Sequence, residues 1–317
     1  MVAKKVLITG ATGFLGSHLT RRLIAKGLTV GIIKRKHSDA WRIKDLLSRI
    51  KSYSVSLQDT RSVSRVVSDF RPDIIFHLAA HYAVEHEPRQ IAPMVDTNVL
   101  GAINLLEAAR ESAVRLFVNT SSCFVYKASD RQLKENSTLE PLNLYGLTKI
   151  QAEGVCSYYA GAYQLPCVTF RIFPPYGPLD NERRLIPYII NSLLKGEHPK
   201  LTTGKQRWDF VYVDDIVEAY VRLLSIPAFS KKHEIFNIGT GEAVSVRRIG
   251  SRLSEIIGGD ISWGKIAHRK NEIWHIRADI RKAKALLAWE PRIGVLKEGL
   301  LRTVASHRKY KNKGKKT

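Results

Sequence analysis

Tyr145 and Lys149 stand four residues apart in "NLYGLTK", and Ser122 lies upstream in "NTSSCFVYK". On a helix, residues at that spacing share one face. A phenol is a poor acid–base group at neutral pH, because its ordinary pKa is about 10. A nearby ammonium, and a positively charged ring held beside it, would lower that value. Tyr145 could then give its proton to a carbonyl oxygen as hydride reaches the carbon. Ser122 would hold that oxygen by a hydrogen bond. Lys149 would also anchor the ribose of the hydride carrier. The chemistry is carbonyl reduction. The Y-x-x-x-K spacing arises by chance on many helices, so the trio needs a carrier site to have meaning.

The stretch "ITGATGFLG" supplies one. It follows the apolar run Val6, Leu7, Ile8 and opens a periodic apolar stretch. Gly10 permits a tight turn, Gly13 lets the backbone approach a pyrophosphate, and Gly16 lets the helix pack on the sheet. The phosphates would meet the amide hydrogens and positive end of a helix over residues 14–26, near Thr12, Gly13, Phe14 and Leu15. The alternative is an ordinary strand-to-helix turn. The second strand ends "IIKRKHS". A free ribose 2′-hydroxyl is usually held there by Asp or Glu. This chain has Lys34, Arg35 and Lys36 instead, and cations suit a 2′-phosphate. The expected cofactor is therefore NADP, with NADPH favoured over NADH.

The elements that must position these groups read as strand and helix in alternation. Strands are expected over residues 5–9, 29–34, 74–78, 116–120 and 167–173, with helical patterns over 14–26 and 99–112 between them. That order predicts an α/β fold: a Rossmann-type, doubly wound parallel sheet with helices on both faces. A dinucleotide-binding domain would cover residues 1–173 and receive a strand and helix from about 207–226. A smaller C-terminal substrate-binding α/β region would cover 174–306. After residue 173 the texture changes to the turn-rich "FPPYGPLDNERR", a helix near 186–195, and the probable strand "WDFVYV". Asp214 or Asp215 is expected to cap the next helix by accepting its free amide hydrogens. "NIGTGEAVSV" reads as strand, turn, and strand or helix entry.

Composition bounds the rest. The 317 residues are 44% hydrophobic, enough for one large α/β unit or two unequal ones. No apolar run approaches the roughly 18 residues that span a bilayer. "MVAKK" passes straight into a strand, which argues against a signal peptide. Cys123, Cys156 and Cys167 form no disulfide framework, so reduced thiols and a cytoplasmic location are expected. The ten His residues show no metal-ligand spacing. The net charge of +22 favours anionic partners. Part of it is local: "HRKYKNKGKKT", residues 307–317, holds six Lys/Arg and no acid. That basic tail is expected to be frayed and disordered.

Taken together, these motifs resemble the extended short-chain dehydrogenase/reductase family in its nucleotide-sugar branch. The matching pieces span nearly the whole chain: "GATGFLG", "HLAA", "TNVLGAINLLEAAR", "SSCFVY", "YGLTK", "RIFPPYGP", "LIPYII", "QRWDFVYVDDIVEAY", "FNIGTGEAVSV" and "LLAWEP". The resemblance implies a nucleoside-diphosphate sugar as substrate, with Ser122, Cys123, Tyr145 and Arg269 around it. It implies cofactor contacts at Leu57 and Ala79, beside the glycine loop, Lys34, Arg35, Tyr145 and Lys149. It also implies a homodimer through a four-helix contact near residues 99–110 and 149–163. Nucleic acid is not an expected partner.

Departures from the family pattern refine this. The family's adenine-contacting Asp falls on Ser56, leaving Leu57 backbone contacts and Asp59. Its Asn after the sixth strand is Pro174. Its diphosphate-binding Arg aligns with Trp208, whose neighbour Arg207 should point elsewhere on a strand. Arg269 matches a second diphosphate-binding Arg and is the better candidate, with Trp208 as packing. A dehydratase would need an Asp-Glu pair where this chain has Cys123-Phe124. Cys123 also resembles the base of GDP-fucose synthases, but their partner His is Arg184 here, which stays charged. The resulting expectation is NADPH-dependent reduction of a 4-keto-6-deoxy nucleotide sugar, on the pattern of CDP-abequose or paratose synthases. A 4-epimerase with tightly held NAD is the alternative. A non-catalytic nucleotide- or RNA-binding member is the alternative of a different class.

Overall fold

The computed structural model describes residues 4–226 and 233–313. Seven strands form the central sheet: β1 Lys5–Thr9, β2 Thr29–Lys34, β3 Lys51–Ser54, β4 Ile74–His77, β5 Leu116–Ser122, β6 Cys167–Ile172 and β7 His233–Ile238. Their order is β7-β6-β5-β4-β1-β2-β3, and every pairing is parallel. The chain winds from β1 outward to β3, then returns to β4 on the other side of β1. The crevice at the carboxyl ends of β1 and β4 is thus the switch point of the sheet.

Both sheet faces are covered, as parallel strands require. Alternation along β1 sends Val6 and Ile8 to one face and Leu7 to the other. The first face packs Leu19 and Leu23 of helix α1 (Phe14–Ala25). The second packs Val63 and Val67 of α2 (Thr60–Phe70) and Leu105 of α3 (Gly101–Glu111). Burying one such side chain contributes about 1.5–3 kcal/mol. Helix α3 is entered through Ile91–Val95 and a π turn at Asp96–Leu100. Helix α4, Leu144–Ala162, lies on the α3 side of the sheet and carries Tyr145 and Lys149.

The C-terminal part differs from expectation in four ways. The strand expected in "WDFVYV" does not join the main sheet. It splits into Arg207–Trp208, which pairs with Val244–Ser245 and His275–Ile276, and Val211–Tyr212, which pairs with Pro175–Tyr176. The break falls at Asp209, whose fully buried carboxylate accepts the amides of Thr240, Gly241 and Ala278 and the Thr240 hydroxyl. The strand returned to the sheet is β7 instead.

Neither Asp214 nor Asp215 caps the next helix, α5 (Val213–Arg222), which begins at Tyr212 without a side-chain cap bond. Asp215 reaches across to the amides of Arg292 and Ile293, each at 3.0 Å. Residues 307–313, expected to fray, continue the helix Leu300–Lys313, with His307 Nδ1 2.9 Å from Asn191 Oδ1. The last four residues of the basic tail lie outside the described residues. "NIGTGEAVSV" folds as read: β7, a turn, Val244–Ser245, and a helix Val246–Ile257 capped by Ser245, which accepts from the Arg248 amide. Among the described residues no helix is long and apolar enough to cross a membrane.

Candidate functional site

The glycine loop sits at the switch point. Gly10 has φ +73°, a conformation that favours glycine. A Cβ there would stand 2.6 Å from the Ala79 amide nitrogen, and one at Gly16 would stand 2.1 Å from the Gly10 carbonyl oxygen. Backbone therefore packs directly on backbone, and α1 starts close against the ends of β1 and β4. Gly13 is the residue before the helix and is exposed, with no side-chain cap bond and no acid in the first turn. The first-turn amide hydrogens of α1 are thus left to an outside acceptor. Thr12, Phe14 and Leu15 flank that opening, all half-buried. This arrangement fits a diphosphate.

Around the loop, Thr9 Oγ1 lies 2.7 Å from His77 Nδ1 and accepts the Ala79 amide at 3.2 Å. Burial pushes His77 down to about 3, with Lys149 adding, so this imidazole stays neutral. Lys34 ends β2 and donates to Ser54 on β3 at 3.3 Å, and the Arg35 side chain is exposed. The Leu57 carbonyl accepts from Asn104 at 2.8 Å, fixing the loop after β3 to α3. Asp59 caps α2 by accepting the Ser62 amide at 3.1 Å, a structural task.

Ser122 ends β5, and α4, which carries Tyr145 and Lys149, packs against the segment just after it. Asn143 caps α4, accepting the Gly146 amide at 2.8 Å. A Cβ on Gly146 would meet the Phe124 carbonyl oxygen at 2.4 Å, so only glycine lets α4 approach the segment after Ser122 this closely. Ser122 accepts the Phe124 amide at 3.2 Å. Lys149 is 2% exposed, donates to the Thr120 carbonyl at 2.8 Å, and lies 5.7 Å from the centroid of the Tyr145 ring. Burial lowers its pKa to about 8, and Glu153, one turn further on, opposes that shift.

The expected lowering of the Tyr145 pKa is not seen in the protein by itself. Burial pushes this phenol well above its ordinary value, Tyr82 and Cys123 add to the rise, and Arg184 opposes it. A protonated phenol is nevertheless the right state for a proton donor. Burial also pushes the Cys123 thiol up to about 12. It is 2% exposed, and a thiol there is no base at neutral pH.

On the outer side lies a cavity of about 240 Å³ lined by Val84, Glu85, Phe124, Asn143, Trp208 and Arg269, among others. Arg269 Nε is 3.8 Å from Glu85 Oε1. Trp208 combines packing with lining: its indole N–H donates to the Ile273 carbonyl at 2.7 Å. Arg207 points away, as expected, donating to the Ala243 carbonyl at 2.8 Å. The Pro174 carbonyl accepts the Val211 amide at 3.0 Å.

Three features escaped the sequence reading. Asn98 is fully buried in the π turn. It binds both backbone groups of His81, at 2.8 and 3.1 Å, and donates to Thr148 at 3.0 Å. Glu153 and Arg171 form a buried ion pair behind Lys149, 2.6 Å at its shortest, and Ser121 Oγ also donates to Glu153. The i,i+4 spacing from Lys149 to Glu153 was a signal for the acid, though not for its partner. Tyr82 lies against Tyr145, with ring centroids 4.9 Å apart and planes at 84°.

Known proteins share this arrangement over nearly the whole chain. An uncharacterised UDP-glucose epimerase of Bacillus subtilis is 32% identical over 95% of this chain and 97% of its own. The CDP-abequose synthase of Salmonella typhimurium is 30% identical over 90% of this chain and 93% of its own. Among solved structures, the UDP-glucose 4-epimerase of Thermotoga maritima with UDP-glucose superposes with a TM-score of 0.89 at 30% identity, covering 96% of this chain and 99% of that one. Residues 6–239 match the NAD dependent epimerase/dehydratase family. With its glycine loop and Tyr–Lys helix set at the switch point of a seven-stranded parallel sheet, this chain belongs to that family, within the nucleotide-sugar branch of the extended short-chain dehydrogenase/reductases.

Proposed function

We propose that this protein reduces the 4-keto group of a nucleoside-diphosphate 4-keto-6-deoxy sugar with NADPH. The observation that carries the reading is the basic end of β2, Lys34 and Arg35, beside the uncapped amides of α1. Cations there suit a ribose 2′-phosphate, and a carrier used once per turnover suits a reductase. The cofactor would lie along Gly10, Thr12, Gly13, Phe14, Leu15 and Gly16, with Lys34, Arg35, Leu57 and Ala79 around its adenosine and diphosphate. When bound, it supplies the hydride. Tyr145 gives its hydroxyl proton to O4 as C4 gains hydride, and solvent reprotonates the phenolate. Ser122 holds O4, and Lys149 keeps a positive charge beside the phenol. Arg269 binds the substrate diphosphate, and Cys123 is a wall of the sugar site.

Several relatives named as UDP-glucose 4-epimerases, one with UDP-glucose bound in its structure, support the second reading, epimerisation with tightly held NAD. A homodimer belongs to both readings. Ile91, Val95 and Leu100 on the run leading into α3, and Leu147, Tyr158 and Tyr163 along α4 and at its C-terminus, keep apolar surface exposed.

The test is to incubate the protein with NADPH and 4-keto-6-deoxy CDP-, dTDP-, GDP- and UDP-sugars, following the reduced-nicotinamide absorbance. One of them should be reduced stoichiometrically, and Tyr145→Phe should slow that reduction by about 10²–10⁴-fold while cofactor still binds. No oxidation of NADPH with any of them, together with interconversion of C4 epimers by the protein and NAD, would establish the epimerase instead.

A further inference from the structure

We propose that Tyr82 determines which face of the sugar C4 meets the reductant, and so holds this site to one-directional reduction. The inference rests on the reading of a nucleotide-sugar site over Tyr145. Tyr145 is 9% exposed and Tyr82 is 50% exposed. Their rings meet edge to face, at a centroid distance of 4.9 Å. A second aromatic ring therefore stands on the open side of the phenol that touches O4.

The backbone just before that ring is anchored. The residue before it, His81, has its amide and its carbonyl both bonded to Asn98, which is bonded in turn to Thr148 on α4. Moving the Tyr82 segment away from Tyr145 breaks the two part-buried bonds between His81 and Asn98. The charges of Arg184 and Arg269 act on the Tyr82 hydroxyl, against a larger effect of burial, and each guanidinium has an acid nearby: Asp180 3.5 Å from Arg184 and Glu85 3.8 Å from Arg269.

The consequence follows from what the two reactions need. An epimerase removes hydride from C4 and returns it to the other face, so the pyranose must turn over between the transfers. The turning ring sweeps the space over the phenol that holds O4, and the Tyr82 ring packs edge to face against that phenol. A reductase needs one face, once: C4 gains hydride, O4 gains the Tyr145 proton, the carbonyl becomes CH–OH, and NADPH leaves as NADP⁺.

Tyr82→Ala and Tyr82→Phe in the full chain test this, with thermal unfolding to confirm that both fold. In the first experiment, UDP-glucose and UDP-galactose are titrated calorimetrically into each protein saturated with NADP⁺. The wild type and Tyr82→Phe should prefer one C4 epimer by at least about tenfold, and Tyr82→Ala should bind the two within about threefold. In the second, the products from a 4-keto-6-deoxy sugar nucleotide that the wild type reduces are read by proton NMR. The wild type should give one C4 configuration and Tyr82→Ala both. A wild type that reduces the ketone, with a Tyr82→Ala variant that keeps the same single product and the same binding preference, overturns this inference alone. A wild type that interconverts UDP-glucose and UDP-galactose with NAD overturns this inference and the reductase reading together.

Discussion

Holding the Lys149 ammonium in the interior has a cost that can be measured without any substrate. The side chain is 2% exposed, and burial moves its pKa from 10.5 to about 8. At about 1.4 kcal/mol per unit, the folded chain disfavours the charged form by roughly 3 kcal/mol. Below about pH 8 the group is charged in both the folded and unfolded chain, and the full penalty is present. Between about 8 and 10.5 the folded chain releases the proton first, the unfolded chain binds more protons, and stability rises with pH. From about pH 7 to about pH 9.5 this one group should add about 2 kcal/mol. Lys149→Met deletes the titration. It also leaves the Thr120 carbonyl without its 2.8 Å donor, which costs about 1 kcal/mol or somewhat more. The variant should therefore be more stable than the wild type by about 1–2 kcal/mol near pH 7, and lose that advantage by about pH 9.5.

The assay is urea unfolding followed by tryptophan fluorescence, on both proteins across that range. Other groups titrate in the same window, but they are common to both, so the difference between the two curves isolates Lys149. Curves that run parallel from about pH 7 to about pH 9.5 would refute the reasoning, because they would mean that the ammonium is not held against burial. The variant should at the same time lose the turnover proposed above, a trade of function against stability.

Glu153→Gln should cost about 3–5 kcal/mol in the same unfolding assay, since it strands the Arg171 guanidinium at 2% exposure. Replacing both partners with Leu and Met should restore most of that, and a single variant as stable as the wild type would count against the pair. Lys34→Ser with Arg35→Ser should raise the KM for NADPH at least about tenfold and leave that for NADH unchanged, and an unaltered ratio would remove the basis for NADPH preference. Cys123→Ala should keep turnover within about threefold, because the thiol is protonated at working pH, whereas a loss of about 10²-fold would make it an acid–base group.

The parts of this molecule that were legible in the sequence are those whose physics is local. A buried parallel strand needs a short apolar run, and β1, β2 and the start of β5 fall where such runs fall. A glycine loop between strand and helix announces close backbone packing, and at Gly16 a Cβ would stand only 2.1 Å from the Gly10 carbonyl oxygen. What could not be read depends on partners far along the chain. Asp215 looks like a helix cap by position, but its acceptors are used by amides 77 and 78 residues away. Asp209 interrupts "WDFVYV" because it meets donors from residues 240, 241 and 278. The helical state of residues 307–313 follows from packing of the preceding turns, with Leu300 and Val304 buried, and not from the basic residues that suggested fraying.

Charge shows the same division. The chain carries 51 Lys and Arg residues and a net +22, which describes how it draws anions from a distance. That field is screened by salt, because most of those cations stand in water. Lys149 and Arg171 are each 2% exposed, and their charges act where screening is weak. Arg171 is neutralised on the spot by Glu153, whose carboxylate also favours the ammonium one turn before it. Lys149 is thus helped to keep its proton by Glu153, the acid one turn further along α4. Raising ionic strength should accordingly weaken the approach of an anionic substrate while leaving the Tyr145–Lys149 interaction nearly unchanged, because the charge count of the whole chain and the charge that acts on the phenol sit in different dielectrics.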